Sequence, residues 1–175
     1  MSILQEMANL QMIKKAEEFA TKKHEGQIRK DGRPYIVHPK AVAELVKTYG
    51  GDAEQISTGW LHDTLEDTKT TYEELVQEFN QIIADYVHYL TNPKDLDKSK
   101  KSEFIIKKLN TMPLDVVMIK LCDRLDNVSD FKTADPNFVR SYKQETQKVL
   151  DGLDRNFTSQ QQKIIAQIQS TIDRY

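Results

Sequence analysis

Apolar residues recur along this chain at steps of three and four, the spacing of one face of an α-helix. Between Ile3 and Lys23 such a face is marked by Leu4, Met7, Leu10, Ile13, Ala16, Phe19 and Ala20. A second helix is predicted to begin at His38-Pro39, with Pro39 suited to its first turn, and to run to about Tyr49, with Ala41, Val42, Leu45 and Val46 as its apolar face. Gly50-Gly51 ends it, and Asp52 caps a third helix that continues through Leu61–Thr68. Thr70 or Thr71 opens the next, with Glu73 and Glu74 in its first turn and Leu75, Val76 and Phe79 on its buried side. A helix over Gln81–Leu90 stops before Asn92-Pro93, and the lysine-rich stretch from Lys94 to Lys101 reads as a mobile loop with little to bury. Helix resumes over Ser102–Leu109. Pro113 then opens a strongly apolar one containing Val116, Val117, Ile119, Leu121, Cys122, Leu125 and Val128. After Asp135-Pro136 two more follow, roughly Asn137–Leu153 and Ser159–Arg174. No strand-like alternation occurs, and Trp60, Phe19, Phe79 and Phe104 read as core. The pattern predicts an all-α protein.

The run Leu61-His62-Asp63-Thr64-Leu65-Glu66-Asp67-Thr68 interrupts this apolar scheme with an imidazole and three carboxylates. On a continuous helix His62, Asp63, Glu66 and Asp67 would share an arc of roughly 140°, with Leu61 and Leu65 together on the far side. So much negative charge on one face costs free energy unless a cation compensates it. A solvated acidic face is the plainer reading, and the stretch alone does not choose. Upstream, His24–Tyr35 contains Gly26, Gly32 and Pro34 and reads as a loop. It is basic, with Lys22, Lys23, Arg29, Lys30 and Arg33, so it is either a solvated loop or a phosphate clamp. Downstream, Asp123 lies among apolar neighbours, where a carboxylate needs a partner: Arg124, Lys120, a capping amide or a metal. Asn127 shares its face one turn on. Two imidazoles, His38 and His62, with two carboxylates, Asp63 and Asp123, would form a nitrogen/oxygen donor set suited to six-coordinate Mn²⁺ or Fe²⁺.

Composition narrows the class. The chain has 175 residues, 38% hydrophobic and 30% charged, with a net charge of −2, so one soluble domain over 1–175 is expected and no global field recruits nucleic acid or an acidic membrane. Cys122 is the sole cysteine, which excludes an intramolecular disulfide framework and a cysteine-rich zinc site. It reads as a small buried residue, His24 as a structural hydrogen-bonding residue and His88 as helix surface. No apolar run reaches membrane-spanning length, and no signal-peptide core opens the chain, so a cytoplasmic protein is expected.

The order H…HD…D, from His38 through His62-Asp63 to Asp123, matches the HD-domain signature. The run Gly26–Pro39, the stretch Leu61–Thr68 and the stretch Lys120–Asn127 closely resemble the RelA/SpoT hydrolase domain, and the resemblance extends from about Ala16 to Thr146. It implies an HD-domain helical bundle with a central metal site. By that resemblance His38, His62, Asp63 and Asp123 are the metal ligands, with Mn²⁺ expected and Fe²⁺ or another divalent ion as alternatives. Glu66 and Asp67 match the pair that positions and activates water, Arg29 and Lys30 the pair that contacts base and phosphates, and Asn127 a nucleotide-contacting asparagine. The implied reaction removes the 3′-pyrophosphate of the alarmone guanosine tetra- or pentaphosphate. The chain ends at Tyr175, so the synthetase domain of long members is not expected. Asp31 stands where serine is usual and Asp126 where histidine or tyrosine is common, both adding negative charge near an anionic substrate. The alternatives are an HD phosphohydrolase for another nucleotide and a catalytically silent nucleotide-binding HD module, with an RNA-binding protein more remote because the basic residues do not gather on a helix face. The partner expected is a small nucleotide, with no nucleic acid and no membrane; oligomeric state is not set by these residues.

Overall fold

The computed structural model describes residues 2–175, and among them ten α-helices and two 3-10 turns form the regular structure, with one isolated bridge between Ile28 and Pro34. The protein is all-α, as the apolar spacing predicted. It divides into two compact units, one ending at Asn92 and one covering Pro93–Tyr175.

The first unit holds α1 (Ile3–Lys23), α2 (Val37–Thr48), α3 (Ala53–Leu61), α4 (Thr64–Asp67), α5 (Tyr72–Glu78) and α6 (Gln81–Leu90). Its axis is α3, which packs against α1, α2 and α6 and is buried from Ala53 to Leu61 except at Glu54. The capping box at its start explains its sharp beginning. Asp52 Oδ1 accepts from Gln55 N at 2.8 Å, and Gln55 Oε1 accepts from Asp52 N at 2.9 Å, so both orphan donors are satisfied. Gly59 lets α2 come close: a Cβ there would stand 2.8 Å from Ala43 Cα. Crossing α3 this way brings the start of α2 beside the end of α3.

Two expectations about this unit change. The apolar stripe of α1 is buried only toward its end, at Ala16 and Ala20, whereas Leu4, Met7 and Leu10 stay 79%, 52% and 66% exposed. Its partner α3 is too short to cover it, about 14 Å against about 32 Å at 1.5 Å per residue. The helix α2 begins at Val37, so Pro39 falls in its first turn, as expected. The third helix does not run on through Thr68: α3 stops at Leu61 and α4 restarts at Thr64, with His62 and Asp63 at the break. Thr64 Oγ1 donates to Leu61 O at 2.7 Å, a side-chain bond that takes up a terminal carbonyl there. Leu61 is fully buried and Leu65 only partly, so the two do not form one hidden edge.

The second unit holds α7 (Lys101–Thr111), α8 (Leu114–Ser129), α9 (Pro136–Asp151) and α10 (Ser159–Ile172). Its core helix α8 packs on α10 and α9, and α7 packs on α9. Within the lysine-rich segment Lys98–Lys100 form a 3-10 turn leading into α7. Arg124 is buried in α8 yet fully engaged: it donates to Thr146 Oγ1 at 2.8 Å and Glu145 Oε1 at 3.0 Å, and its guanidinium lies 5.0 Å from the Tyr142 ring centre. That answers a charge which alone would be costly in a core. Trp60 is buried; Phe19, Phe79 and Phe104 are half-buried. No helix among the described residues is long and apolar enough to cross a membrane.

Candidate metal centre

The break between α3 and α4 is what makes His62 and Asp63 available. His62 ends α3 with its ring turned back on the helix, Nδ1 2.8 Å from Gly59 O. A carbonyl oxygen can only accept, so the proton sits on Nδ1 and the Nε2 lone pair is left to point elsewhere. It meets the Nε2 of His38, 3.3 Å away, and the Oδ2 of Asp63, 3.0 Å away. His38 Nε2 lies 3.7 Å from the same oxygen. Both imidazoles are buried, 3% exposed each, with ring centres 5.1 Å apart. Buried nitrogens and a carboxylate oxygen converging this closely call for a cation between them, a proton or a metal ion. The donor types fit a divalent ion, and the Nδ1–H bond to a backbone carbonyl is the kind of outer contact that orients a ligand histidine.

Around this centre Tyr35 donates its hydroxyl to Asp63 Oδ2 at 2.5 Å and makes a second contact with Asp67 Oδ2 at 3.3 Å. Partial burial pushes the Asp67 carboxyl up to about 6, and the nearby charges of Asp63 and Glu66 push the same way. Glu66 is tied down differently, its Oε2 accepting from Asn92 N at 2.9 Å and Asn92 Nδ2 at 3.3 Å. His24 is buried, with Nδ1 2.8 Å from Gln27 Oε1 and its ring centre 4.9 Å from that of Tyr35. Burial lowers its pKa, and Gln27 in turn donates to Asp67 O at 2.8 Å. The structural hydrogen bond expected of His24 is present. His88 is exposed, as expected, its ring 5.9 Å from Tyr72.

The basic loop is a tight turn. Arg29 N donates to Arg33 O at 2.9 Å and Gly32 N to Arg29 O at 2.9 Å, and Gly32 sits at φ +86°, where a side chain would strain the backbone. Arg29 is half-buried and Lys30 exposed. Asp31 is engaged inside the turn, accepting from Arg33 Nε at 2.8 Å and Arg33 N at 3.0 Å, which holds its carboxyl below the usual range. The extra charge noted at Asp31 is therefore answered locally.

In the second unit Asp123 lies buried on α8, with Lys120 Nζ donating to Oδ2 at 2.8 Å and Asn127 Nδ2 to Oδ1 at 2.8 Å. Of the cationic partners considered for it, Lys120 binds it, while Arg124 turns to Glu145. Burial disfavours the Lys120 ammonium, but the charge of Asp123 and its hydrogen bond outweigh this and raise the pKa. Burial pushes the neighbouring Cys122 thiol up to about 12, leaving it inert. Asn127 spends its amide on Asp123.

Of the residues singled out in the first unit, the structure brings His38, His62 and Asp63 together, with Asp67 adjoining through Tyr35. Sequence reasoning missed Tyr35, Gln27 and Asn92. Tyr35 had one usable signal: it stands three residues before His38 in the same turn, and His38 N donates to its carbonyl at 3.0 Å.

The family model described as HD domain matches residues 16–156. A guanosine-3′,5′-bis(diphosphate) 3′-pyrophosphohydrolase MESH1 of Xenopus tropicalis is 34% identical over 151 residues, covering 81% of this chain and 84% of that protein. A guanosine-3′,5′-bis(diphosphate) 3′-pyrophosphohydrolase of Aquifex aeolicus is 44% identical over 119 residues, 66% of this chain. The chain spans only 17% of that protein's length and 19% of a Myxococcus xanthus GTP pyrophosphokinase. A solved structure of a metazoan orthologue of SpoT that hydrolyses ppGpp shares the fold, with a TM-score of 0.80 at 24% identity, over 92% of this chain and 96% of that one. The chain belongs to the HD-domain family. Within that family it is of the RelA/SpoT hydrolase type.

Proposed function

We propose that the protein hydrolyses guanosine tetra- or pentaphosphate to GDP or GTP and pyrophosphate, acting as one HD domain over both units, in the cytoplasm, on a small nucleotide. The observation that carries this reading is the match over most of the length of a relative named for that reaction, combined with the His38, His62 and Asp63 cluster. In it His38, His62, Asp63 and Asp123 would hold Mn²⁺, a hard-to-borderline ion suited to nitrogen and oxygen donors. When bound, such an ion supplies Lewis acidity to a phosphoryl oxygen and to water. Water attacks the phosphorus joined to the 3′ oxygen, that P–O bond breaks, and the 3′ oxygen takes a proton. Asp67, held beside Asp63 by Tyr35, accepts the water's proton and can return it to the leaving oxygen. Glu66, fixed by Asn92, orients the same water. Arg29 and Lys30 would bind the base and phosphates from their turn, and Asn127 would contact the nucleotide only on exchanging its amide bonds to Asp123.

The test is product analysis of Mn²⁺-loaded protein with guanosine tetraphosphate by anion-exchange chromatography. GDP with pyrophosphate supports the reading. Orthophosphate release excludes this cleavage, and turnover confined to another nucleotide reassigns the substrate within the same family.

A further inference from the structure

The turn that carries Arg29 and Lys30 also grips the α4 segment at two points. Gln27 Nε2 donates to the main-chain oxygen of Asp67 at 2.8 Å, and Gln27 is itself held by His24 Nδ1 at 2.8 Å. The backbone then folds back, Tyr35 N donating to Gln27 O at 2.9 Å, which delivers the Tyr35 hydroxyl to Asp63 at 2.5 Å and Asp67 at 3.3 Å. The His24 ring lies against the Tyr35 ring and limits where that hydroxyl can swing. Asp67 stands at the exposed end of a helix of four residues, which cannot hold an outward carboxylate in place by itself. Left to electrostatics, its side chain would turn to solvent, away from Asp63 and Glu66.

We propose that Tyr35 is a positioning residue, which with Gln27 and His24 ties the Asp67 carboxylate to the metal-ligand carboxylate of Asp63 and so holds it where the attacking water must lie. This rests on the hydrolase reading above. A phenol suits the task because its one hydroxyl proton can be shared between two carboxylate oxygens, closely with Asp63 and at longer range with Asp67, so it links two groups that repel each other. Phenylalanine would keep the ring packing on His24 and remove only the bridge.

The decisive experiment compares Tyr35→Phe in two backgrounds. In Mn²⁺-loaded protein acting on guanosine tetraphosphate, Tyr35→Phe lowers kcat by about 10- to 100-fold, with KM within about threefold and Mn²⁺ content unchanged. Added to Asp67→Asn, it costs less than about twofold, because the group it positions is already disabled. Gln27→Ala lowers kcat in the same direction and guards against a peculiarity of the phenylalanine variant. Crystal structures of wild-type and Tyr35→Phe protein show the Asp67 carboxylate turned away from Asp63 in the variant. Equal losses in both backgrounds overturn the proposal. So does an unmoved Asp67, or a fall in Mn²⁺ content that accounts for the lost turnover. If wild-type protein leaves guanosine tetraphosphate intact, the substrate reading fails, and the crystal structures still decide whether Tyr35 places Asp67.

Discussion

Gly59→Ala tests whether the metal centre depends on the close crossing of α2 and α3. A Cβ on Gly59 would lie 2.8 Å from Ala43 Cα, 3.1 Å from Ala43 N and 3.3 Å from Ala43 Cβ. The nearest approach falls short of ordinary 3.4 Å packing by about 0.6 Å and is to main chain, so no side-chain rotation relieves it. One helix must move. Overpacking of this kind costs about 1–3 kcal/mol, against about 1 kcal/mol gained from alanine's better helix propensity. The net loss, up to about 2 kcal/mol, corresponds to a fall in Tm of up to about 8 °C for a chain of this length. Metal binding suffers more, because α2 carries His38, Gly59 O orients His62, and the two Nε2 atoms are only 3.3 Å apart. Disturbed outer contacts of ligand histidines weaken metal binding by about 10- to 100-fold. Calorimetric Mn²⁺ titration and thermal melts of metal-free protein measure the two effects separately. Adding Ala43→Gly should not rescue Gly59→Ala, since the clash with the main chain of residue 43 persists. Wild-type Mn²⁺ affinity in Gly59→Ala would refute the argument that this crossing sets the ligand geometry.

The remaining expectations concern the site directly. His62→Ala and Asp63→Asn should each lose bound metal, read by elemental analysis, together with the stabilisation that metal lends; full occupancy in both would remove these residues from the ligand set. Glu66→Gln and Asp67→Asn should keep their metal and lose about 10²-fold or more in turnover, and wild-type rates in both would reduce the pair to surface charge. The Asp67 carboxyl, raised from 3.8 to about 6, binds protons in the folded metal-free state at pH values where the unfolded chain has released them. Its own contribution to stability therefore falls as pH rises from about 4 to about 6, opposite to an ordinary ion-paired carboxylate, and Asp67→Asn should flatten that part of the stability–pH curve in denaturant titrations.

The elements that could be read from the sequence are those whose cause is local. The Asp52 capping box, the Thr71 cap, the Asn92-Pro93 stop and the Pro113 start each involve residues within a few positions, and each falls where it was expected within two residues. The three ligand candidates of the first unit could be named because imidazole and carboxylate are chemically marked wherever they occur. What could not be read is set by the partner across the fold. The exposure of Leu4, Met7 and Leu10 depends on how far α3 extends, which periodicity within α1 does not encode. The role of Tyr35 depends on a turn that carries it back to Asp63, far along the chain.

The break at His62-Asp63 shows why the misread element and the functional one coincide. An uninterrupted helix would have fixed His62 and Asp63 at adjacent positions about 100° apart on a single surface. Ending α3 instead lets the His62 ring fold back on Gly59 O, so that its Nε2 and the Asp63 carboxylate meet at 3.0 Å beside His38. The helix gives up regular hydrogen bonding there, and Thr64 Oγ1 replaces part of it through Leu61 O. Apolar spacing on both sides favours continuing the helix, whereas the convergence of donors favours ending it. The chain ends the helix, and the same convergence of His62 Nε2, His38 Nε2 and the Asp63 carboxylate is what suits the cluster to take an ion.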